Sequence, residues 1–302
     1  NPEVLDRIAN TIVRIASQPH GNEDSVTIGN DDSMQWCECE NCARVNAEEE
    51  SPAGTQVRFV NEIARRLAKT HPGVRAQTVA YHYTKRPPKL TRLEPNVMLT
   101  FSTTECDYSR PLAANPRSGN IEALAYLRDW CAQCDRVHVW NYTTDFWAYP
   151  MPMPNVYSAA EDLKLFRSLG IFYVYEQGCR QGPHAWFGEL KGWLYAHLMW
   201  NPDLDLEALV RRFMRGYYGK AAPAMWQYYA LIEDQPALHP ELQLFGNTAD
   251  ETCPYLSPEL LERAVGLLAE AAEAVKDDPV LVEHVAEEMF CVSFVRLARA
   301  VR

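Results

Sequence analysis

No run of apolar residues in this chain approaches the roughly 18 that a membrane span needs, and no charged-then-apolar leader opens it. No block of Lys or Arg stands out either, and 29 basic against 40 acidic residues leave a formal net charge of −11. A membrane span is therefore not expected, and neither is a nucleic-acid or anionic-membrane surface. Glycine is sparse, 14 in 302 residues, and no Gly-x-Gly-x-x-Gly or Gly-x-x-x-x-Gly-Lys-[Ser/Thr] occurs, so phosphate and dinucleotide cradles lack their turn chemistry. Gly-x-Ser-x-Gly and His-Glu-x-x-His are missing too, which leaves serine-hydrolase and zinc-protease readings without support. Nine cysteines are odd in number and too few for a disulfide scaffold, so they do not fix the redox compartment.

What is present is an ordinary globular composition, 47% apolar and 23% charged, in a chain long enough to bury a sizeable core. Its unusual part is aromatic. Of 33 Trp, Tyr and Phe residues, 23 fall between Tyr126 and Tyr229. The chain opens Asn1-Pro2-Glu3-Val4 without Met and stops at Arg302 inside an apolar-periodic stretch, so both ends are expected to be cuts.

Periodicity predicts alternating helices and strands. Asn1 as N-cap with Pro2 behind it starts a helix carrying Val4, Leu5, Ile8, Ile12 and Val13, followed by a strand at 25–29 that ends in Asn30-Asp31-Asp32. A helix over 55–70 precedes a strand at 74–80, whose end carries Tyr81-His82-Tyr83. Strand 96–101 runs into Glu105-Cys106-Asp107. Helix 121–134 leads to strand 136–140, ending Asn141-Tyr142-Thr143-Thr144-Asp145. Helix 159–169 leads to strand 171–175, ending Glu176-Gln177-Gly178. The rest reads as helices at 184–200, 205–218, 222–232, 257–275 and 280–301, with Asp205 and Ser257 as N-caps.

Five strand-to-helix units whose strands end in polar, aromatic or acidic residues imply an α/β class with the ligand address at the strands' carboxyl ends. The scarcity of glycine turns favours a (β/α)8 TIM-barrel type over an open nucleotide-binding sheet. Five units are five of eight, so the expectation is a fragment holding the last five βα units, with upstream barrel strands missing. Residues 1–232 form the barrel part in this reading, and 233–302 an appended, truncated helical region.

The ordered motifs Ser25-Val-Thr-Ile-Gly-Asn-Asp-Asp-Ser33, Cys37-x-Cys39-x-x-Cys42, Arg58-Phe-Val-Asn61, Tyr81-x-Tyr83-x-x-x-Pro87-Pro88, Thr104-Glu-Cys-Asp107, Val139-Trp-Asn-Tyr-Thr-Thr144, Pro152-x-Pro154-Asn155, Glu176-Gln-Gly178, Trp200-Asn-Pro-Asp203 and Tyr217-Tyr-Gly219 resemble the DUF4838 domain family over roughly residues 1–232. The resemblance implies a glycoside-hydrolase-like TIM barrel related to α-glucuronidase-type proteins, often preceded by an N-terminal domain, and an extracytoplasmic setting. One departure stands out: the family's Trp-Asp-Tyr is Trp140-Asn141-Tyr142 here.

Glycoside hydrolysis needs two carboxyl groups about one bond, one to protonate the leaving oxygen and one to attack or activate water. Among the strand-end acids, Asp31 is the expected acid, and Glu105 or Glu176 the base or nucleophile. A single strand-end acid is as readily a helix cap or an ion-pair partner. Asn30, Asp32, Tyr81, Tyr83, Asp107, Trp140, Asn141, Tyr142, Asp145 and Trp147 are expected to bind an oligosaccharide or polysaccharide substrate, the aromatic rings by stacking on sugar C–H faces. Tyr173, Tyr175, Trp193, Tyr195 and Trp200 read instead as core.

Catalysis of this kind requires no cofactor. Cys37, Cys39 and Cys42 have the spacing to hold a structural zinc or iron, with Cys106 or His20 as a fourth ligand, although a strained disulfide or buried thiols fit the same spacing. Cys131-x-x-Cys134 precedes a strand rather than following one, so it reads as packing. The expected activity is a carbohydrate-active hydrolase; a non-catalytic glycan-binding barrel and a Cys-cluster metal protein are the alternatives.

Overall fold

A computed structural model describes residues 1–18, 24–179, 184–234, 241–245, 253 and 255–301. The chain is an α/β protein, and the described residues hold five strands, β1 (Ser25–Thr27), β2 (Arg75–Ala80), β3 (Val97–Ser102), β4 (Val137–Tyr142) and β5 (Tyr173–Gln177), in one sheet of order β1-β2-β3-β4-β5. The paired registers are parallel, for example Val26 opposite Ala76, Gln77 opposite Met98, and Thr100 opposite His138. Strand order follows chain order throughout. The topological reversal of a doubly wound sheet is absent from these five strands, and their order is consistent with part of a TIM-like barrel.

Helices occupy the intervals: α1 (Pro2–Ala16), α2 (Glu40–Glu48), α3 (Ala53–Thr70), α4 (Ser118–Cys131), α5 (Val156–Ser168), α6 (Gly188–Trp200), α7 (Leu206–Tyr218), α8 (Ala222–Glu233), α9 (Pro258–Ala274) and α10 (Pro279–Ala300). The caps read from the sequence are formed. Asn1, Asp205 and Ser257 each accept a backbone N–H in the first turn of α1, α7 and α9, satisfying donors that the helix itself leaves orphaned. The one helix without a sequence expectation is α2. It buries no residue, so no apolar period announces it. No helix of the described residues is long and apolar enough to cross a membrane.

Contacts divide the chain into two units, residues 1–104 with 122–141 and 166–175, and residues 105–121 with 142–165 and 176–302. In the first, α3 buries Val57, Val60, Ile63, Ala64 and Leu67 along one stripe. That stripe meets the sheet face carrying Ala76, Thr78 and Ala80, where Gln56 reaches the Thr78 hydroxyl. β3 is buried along its whole length, Thr100 and Ser102 included. The opposite sheet face is polar and aromatic. Gln77 bonds Thr100, His138 contacts Tyr173, and Trp140 meets Tyr175 edge-on. Tyr173 and Tyr175, expected in the core, are instead exposed on this face, as is Trp140 of the neighbouring β4.

The second unit gathers α6 to α10. The helices α9 and α10, expected as an appended region from 233, pack here against α8 and α7. Gly219 takes φ +52, and a Cβ there would lie 2.8 Å from Leu281 Cδ1, so the Tyr217-Tyr-Gly219 motif turns the chain where α10 presses closest. Trp200, also expected in the core, is almost fully exposed at the end of α6.

The Arg58–Asn61 motif is structural. Asn61 bonds the Arg92 carbonyl and the Glu94 N–H, while Arg58 pairs with the fully buried Glu49 at 2.6 Å. Glu49 also accepts the backbone N–H groups of Leu90 and Thr91 and the Thr91 hydroxyl. Burial works to raise its pKa, but these donors overcome it and hold the carboxyl at about 2. The ordinary value is 4.5, so the stabilisation is complete above that pH and is lost as pH falls toward 2. Glu49→Gln should cost about 3 kcal/mol at pH 7, from a shift of roughly two and a half pH units. Urea denaturation from pH 7 to pH 2 checks this: the variant loses less stability than wild type between pH 4.5 and 2.

Candidate functional site

In the first unit, the ends of β1 and β2 converge on a small polar and aromatic cluster. Tyr81 donates its hydroxyl to Asp32 Oδ1, and His82 Nε2 lies 3.4 Å from the same oxygen. His82 has φ +50, uncommon for a residue with a side chain, and its ring rests 3.7 Å from that of Tyr81. The Tyr81 hydroxyl bond is the main influence lowering the Asp32 pKa, so this carboxylate stays ionised and accepts hydrogen bonds rather than giving protons. Tyr83 packs its ring 5.8 Å from Trp36, and burial followed by the Asp31 charge raises its pKa. Asp31 is exposed, and Asn30 is half-buried with its amide on the Asp31 carbonyl. Next along the chain, the sulfur atoms of Cys37, Cys39 and Cys42 all lie within 4.8 Å of one another.

In the second unit, Thr143 and Thr144 beyond β4, Glu176 in β5 and the first two turns of α6 line a cavity of about 360 Å³. Two carboxyl side chains, Glu176 and Glu189, border it together with Lys191 and Tyr195. The Thr143 N–H and hydroxyl both bond the Gln177 carbonyl, which holds this wall in register. Lys191 is buried and donates to the Thr143 carbonyl, the Met153 carbonyl and Asn155 Oδ1 at 2.8, 2.9 and 2.9 Å. Burial lowers its pKa to about 8 against the opposing pull of Glu233 and Glu288, so the ammonium remains charged at neutral pH. The Tyr195 hydroxyl is buried with no hydrogen-bond partner among the described residues. Burial first, then the Glu176 and Glu233 charges, raise its pKa and keep the phenol protonated.

A larger cavity, about 820 Å³, opens among α5, α7 and α8 and is bordered by Arg110, Tyr157, Trp226 and Glu233. Burial raises the Glu233 pKa to about 7. None of the residues nominated from strand ends lines it.

Comparison with protein families gives one match, a domain of unknown function (DUF4838), over residues 1–230. The chain belongs to the DUF4838 family. Comparison with curated proteins gives no match.

Mapped on this DUF4838 domain, the strand-end residues separate by role. Asp31, Asp32, Tyr81 and Tyr83 come together in the first unit, while Glu176 borders the cavity of the second. Glu105 is exposed in the turn after β3 and lines neither cavity. Asp107, expected to bind sugar, is instead buried and committed to the fold. Its carboxylate accepts the Ser109 N–H and hydroxyl, the Asn115 amide and the Leu242 N–H, with Arg117 at 3.6 Å. Asn141 is likewise buried, its Oδ1 taking the Thr103 hydroxyl at 2.7 Å. Asp145 is buried and closes a turn by accepting the Trp147 and Ala148 N–H groups. Tyr142 is buried edge-on against Phe146, whereas Trp140 and Trp147 keep exposed rings. Among the proposed fourth ligands of the cysteine cluster, Cys106 is buried in the other unit and His20 lies outside the described residues.

The sequence reading passes over Glu189, Lys191 and Trp36, and it assigns Tyr195 to the core, where the side chain is indeed buried. A signal for Lys191 was there. It occupies the stripe of Leu194, Tyr195 and Leu198, a charged residue at a position whose period demands burial. Tyr81→Phe should raise the Asp32 pKa toward its ordinary value by removing the hydroxyl bond. Carboxyl-carbon NMR titration checks this, and an unchanged Asp32 titration would rule out the Tyr81 hydroxyl as its main influence.

Proposed function

We propose that this DUF4838 domain is a carbohydrate-active hydrolase that cleaves an O-glycosidic bond by a carboxylic acid and carboxylate pair. In this reading the parallel sheet is part of a (β/α)8 barrel of the glycoside-hydrolase, α-glucuronidase-related kind. The observation that carries the proposal is the cavity bordered by both Glu176 and Glu189, since hydrolysis of an acetal needs two carboxyl groups at one bond. Glu176 is assigned as the base or nucleophile, with Glu189 taking the acid's place ahead of Asp31 and Glu105. Tyr195 is a hydroxyl donor for a sugar oxygen. The buried positive charge of Lys191 suits an anionic, uronic-acid-containing glycan. The cavity's volume lies in the range of small-molecule sites.

The test is a screen of the protein against aryl glycosides and glucuronylated oligosaccharides, repeated with Glu176→Gln, Glu189→Gln, Asp31→Asn and Glu105→Gln. Glu176→Gln and Glu189→Gln should each lower turnover by about 10²- to 10⁴-fold, the contribution of a positioned acid or base. Wild-type rates in both would remove the assignment.

A second reading, a non-catalytic glycan-binding barrel, is favoured by Asn141, a neutral amide enclosed by Thr103 where the family motif carries a carboxylate. Calorimetric binding of an oligosaccharide with no product after long incubation would select it.

A further inference from the structure

The twelve residues 28–39 connect β1 to α2 without helix or strand, and they carry Asp31, Asp32, Trp36 and two of the clustered cysteines. A stretch of that length needs anchors. Those the described residues provide are few. The Ile28 N–H bonds Gln77, the Ser33 hydroxyl accepts the Gln35 N–H, Tyr81 and His82 hold Asp32, and Trp36 leans on Tyr83 while staying exposed. The distal half of the loop runs exposed into the start of α2.

Three thiols gather where that loop meets the helix. Cys37 comes from the loop, Cys39 is the N-cap residue of α2, and Cys42 lies in its first turn. Their sulfur atoms lie within 4.8 Å of one another. Three thiolates around a zinc-class ion at about 2.3 Å stand about 3.8 Å apart, so rotamer adjustment alone would close the set. The helix start favours sulfur anions through its unpaired N–H groups and its dipole. An odd set of three cannot be satisfied by disulfides, and a Cys37–Cys39 bond would close a ring with only Glu38 between its ends. No other His, Cys, Asp or Glu among the described residues joins the set, which leaves a fourth position for solvent or an added ligand.

We propose that Cys37, Cys39 and Cys42 form a three-thiolate site for a zinc-class divalent cation, which ties the loop bearing Asp31, Asp32 and Trp36 to the start of α2. The ion is a staple with an exchangeable fourth ligand. Each cysteine gives its proton to solvent and its sulfur lone pair to the metal, with no change of oxidation state. The site does not depend on the glycan reading.

The experiment uses the whole chain, reduced and stripped of metal, titrated anaerobically with cobalt(II). The expected result is a sulfur-to-cobalt charge-transfer band in the near ultraviolet and tetrahedral d–d bands in the visible, saturating at one cobalt per chain and erased by added zinc. Zinc should also raise the melting temperature and slow proteolysis within residues 28–39. Each of Cys37→Ser, Cys39→Ser and Cys42→Ser should weaken cobalt binding at least tenfold, whereas Cys131→Ser with Cys134→Ser should leave it unchanged. Absence of the charge-transfer band in fully reduced protein, or an equal band in the Cys37/Cys39/Cys42 triple serine variant, would overturn the proposal. Binding that zinc saturates without any change in melting temperature or proteolysis would overturn the staple role. Circular dichroism of the variants separates loss of ligand from loss of fold.

Discussion

The buried ammonium of Lys191 organises the second unit's cavity. Removing a charge from water is costly, and the cost is tolerable here because all three N–H bonds find acceptors on different pieces of chain. One acceptor is the carbonyl just beyond β4, the second lies in the connection before α5, and the third is the side chain of Asn155, whose carbonyl also accepts the Ala159 N–H in α5's first turn. A single side chain on α6 therefore fixes where Thr143 ends and where α5 begins. Glu176, Glu189 and Tyr195 inherit their positions from that arrangement. Phe187, immediately before α6, is held in a left-handed conformation by packing against Trp186, Tyr218, Tyr228 and Tyr229 and by donating its N–H to buried Glu288. The start of the helix is locked on one side by an aromatic cage and on the other by a saturated cation.

Element order was legible from periodicity and caps because helices such as α3 and α7 bury one stripe each and begin at residues whose side chains accept N–H groups. The strand at 171–175 was displaced by two residues, and β5 runs instead through Glu176 to Gln177. The reason is physical. Ile171-Phe172-Tyr173 reads as apolar enough for a core strand, yet Phe172, Tyr173 and Tyr175 are exposed, so composition points to burial that nothing among the described residues supplies.

The candidate site was less legible, because an acid at a strand end has two common fates and sequence does not separate them. Asp107 and Asp32 illustrate the difference. Asp107 gathers a ring of backbone and amide donors and disappears into the fold, while Asp32 keeps its exposure, with Tyr81 and His82 as its partners among the described residues. Several of the motifs on which the resemblance rests, Arg58–Asn61, Asn155 and Gly219 among them, act on chain geometry. Family membership therefore speaks more strongly for the fold than for chemistry.

The aromatic face that β4 and β5 present has a consequence for how the chain behaves among its own copies. β5 is last in the strand order of the described residues, and it carries the exposed rings of Tyr173 and Tyr175 beside that of Trp140. Exposed rings on a sheet face offer flat apolar contact with little chemical selectivity. Other copies of the chain meet these rings more often as concentration rises, so they are a contact surface that dilution relieves.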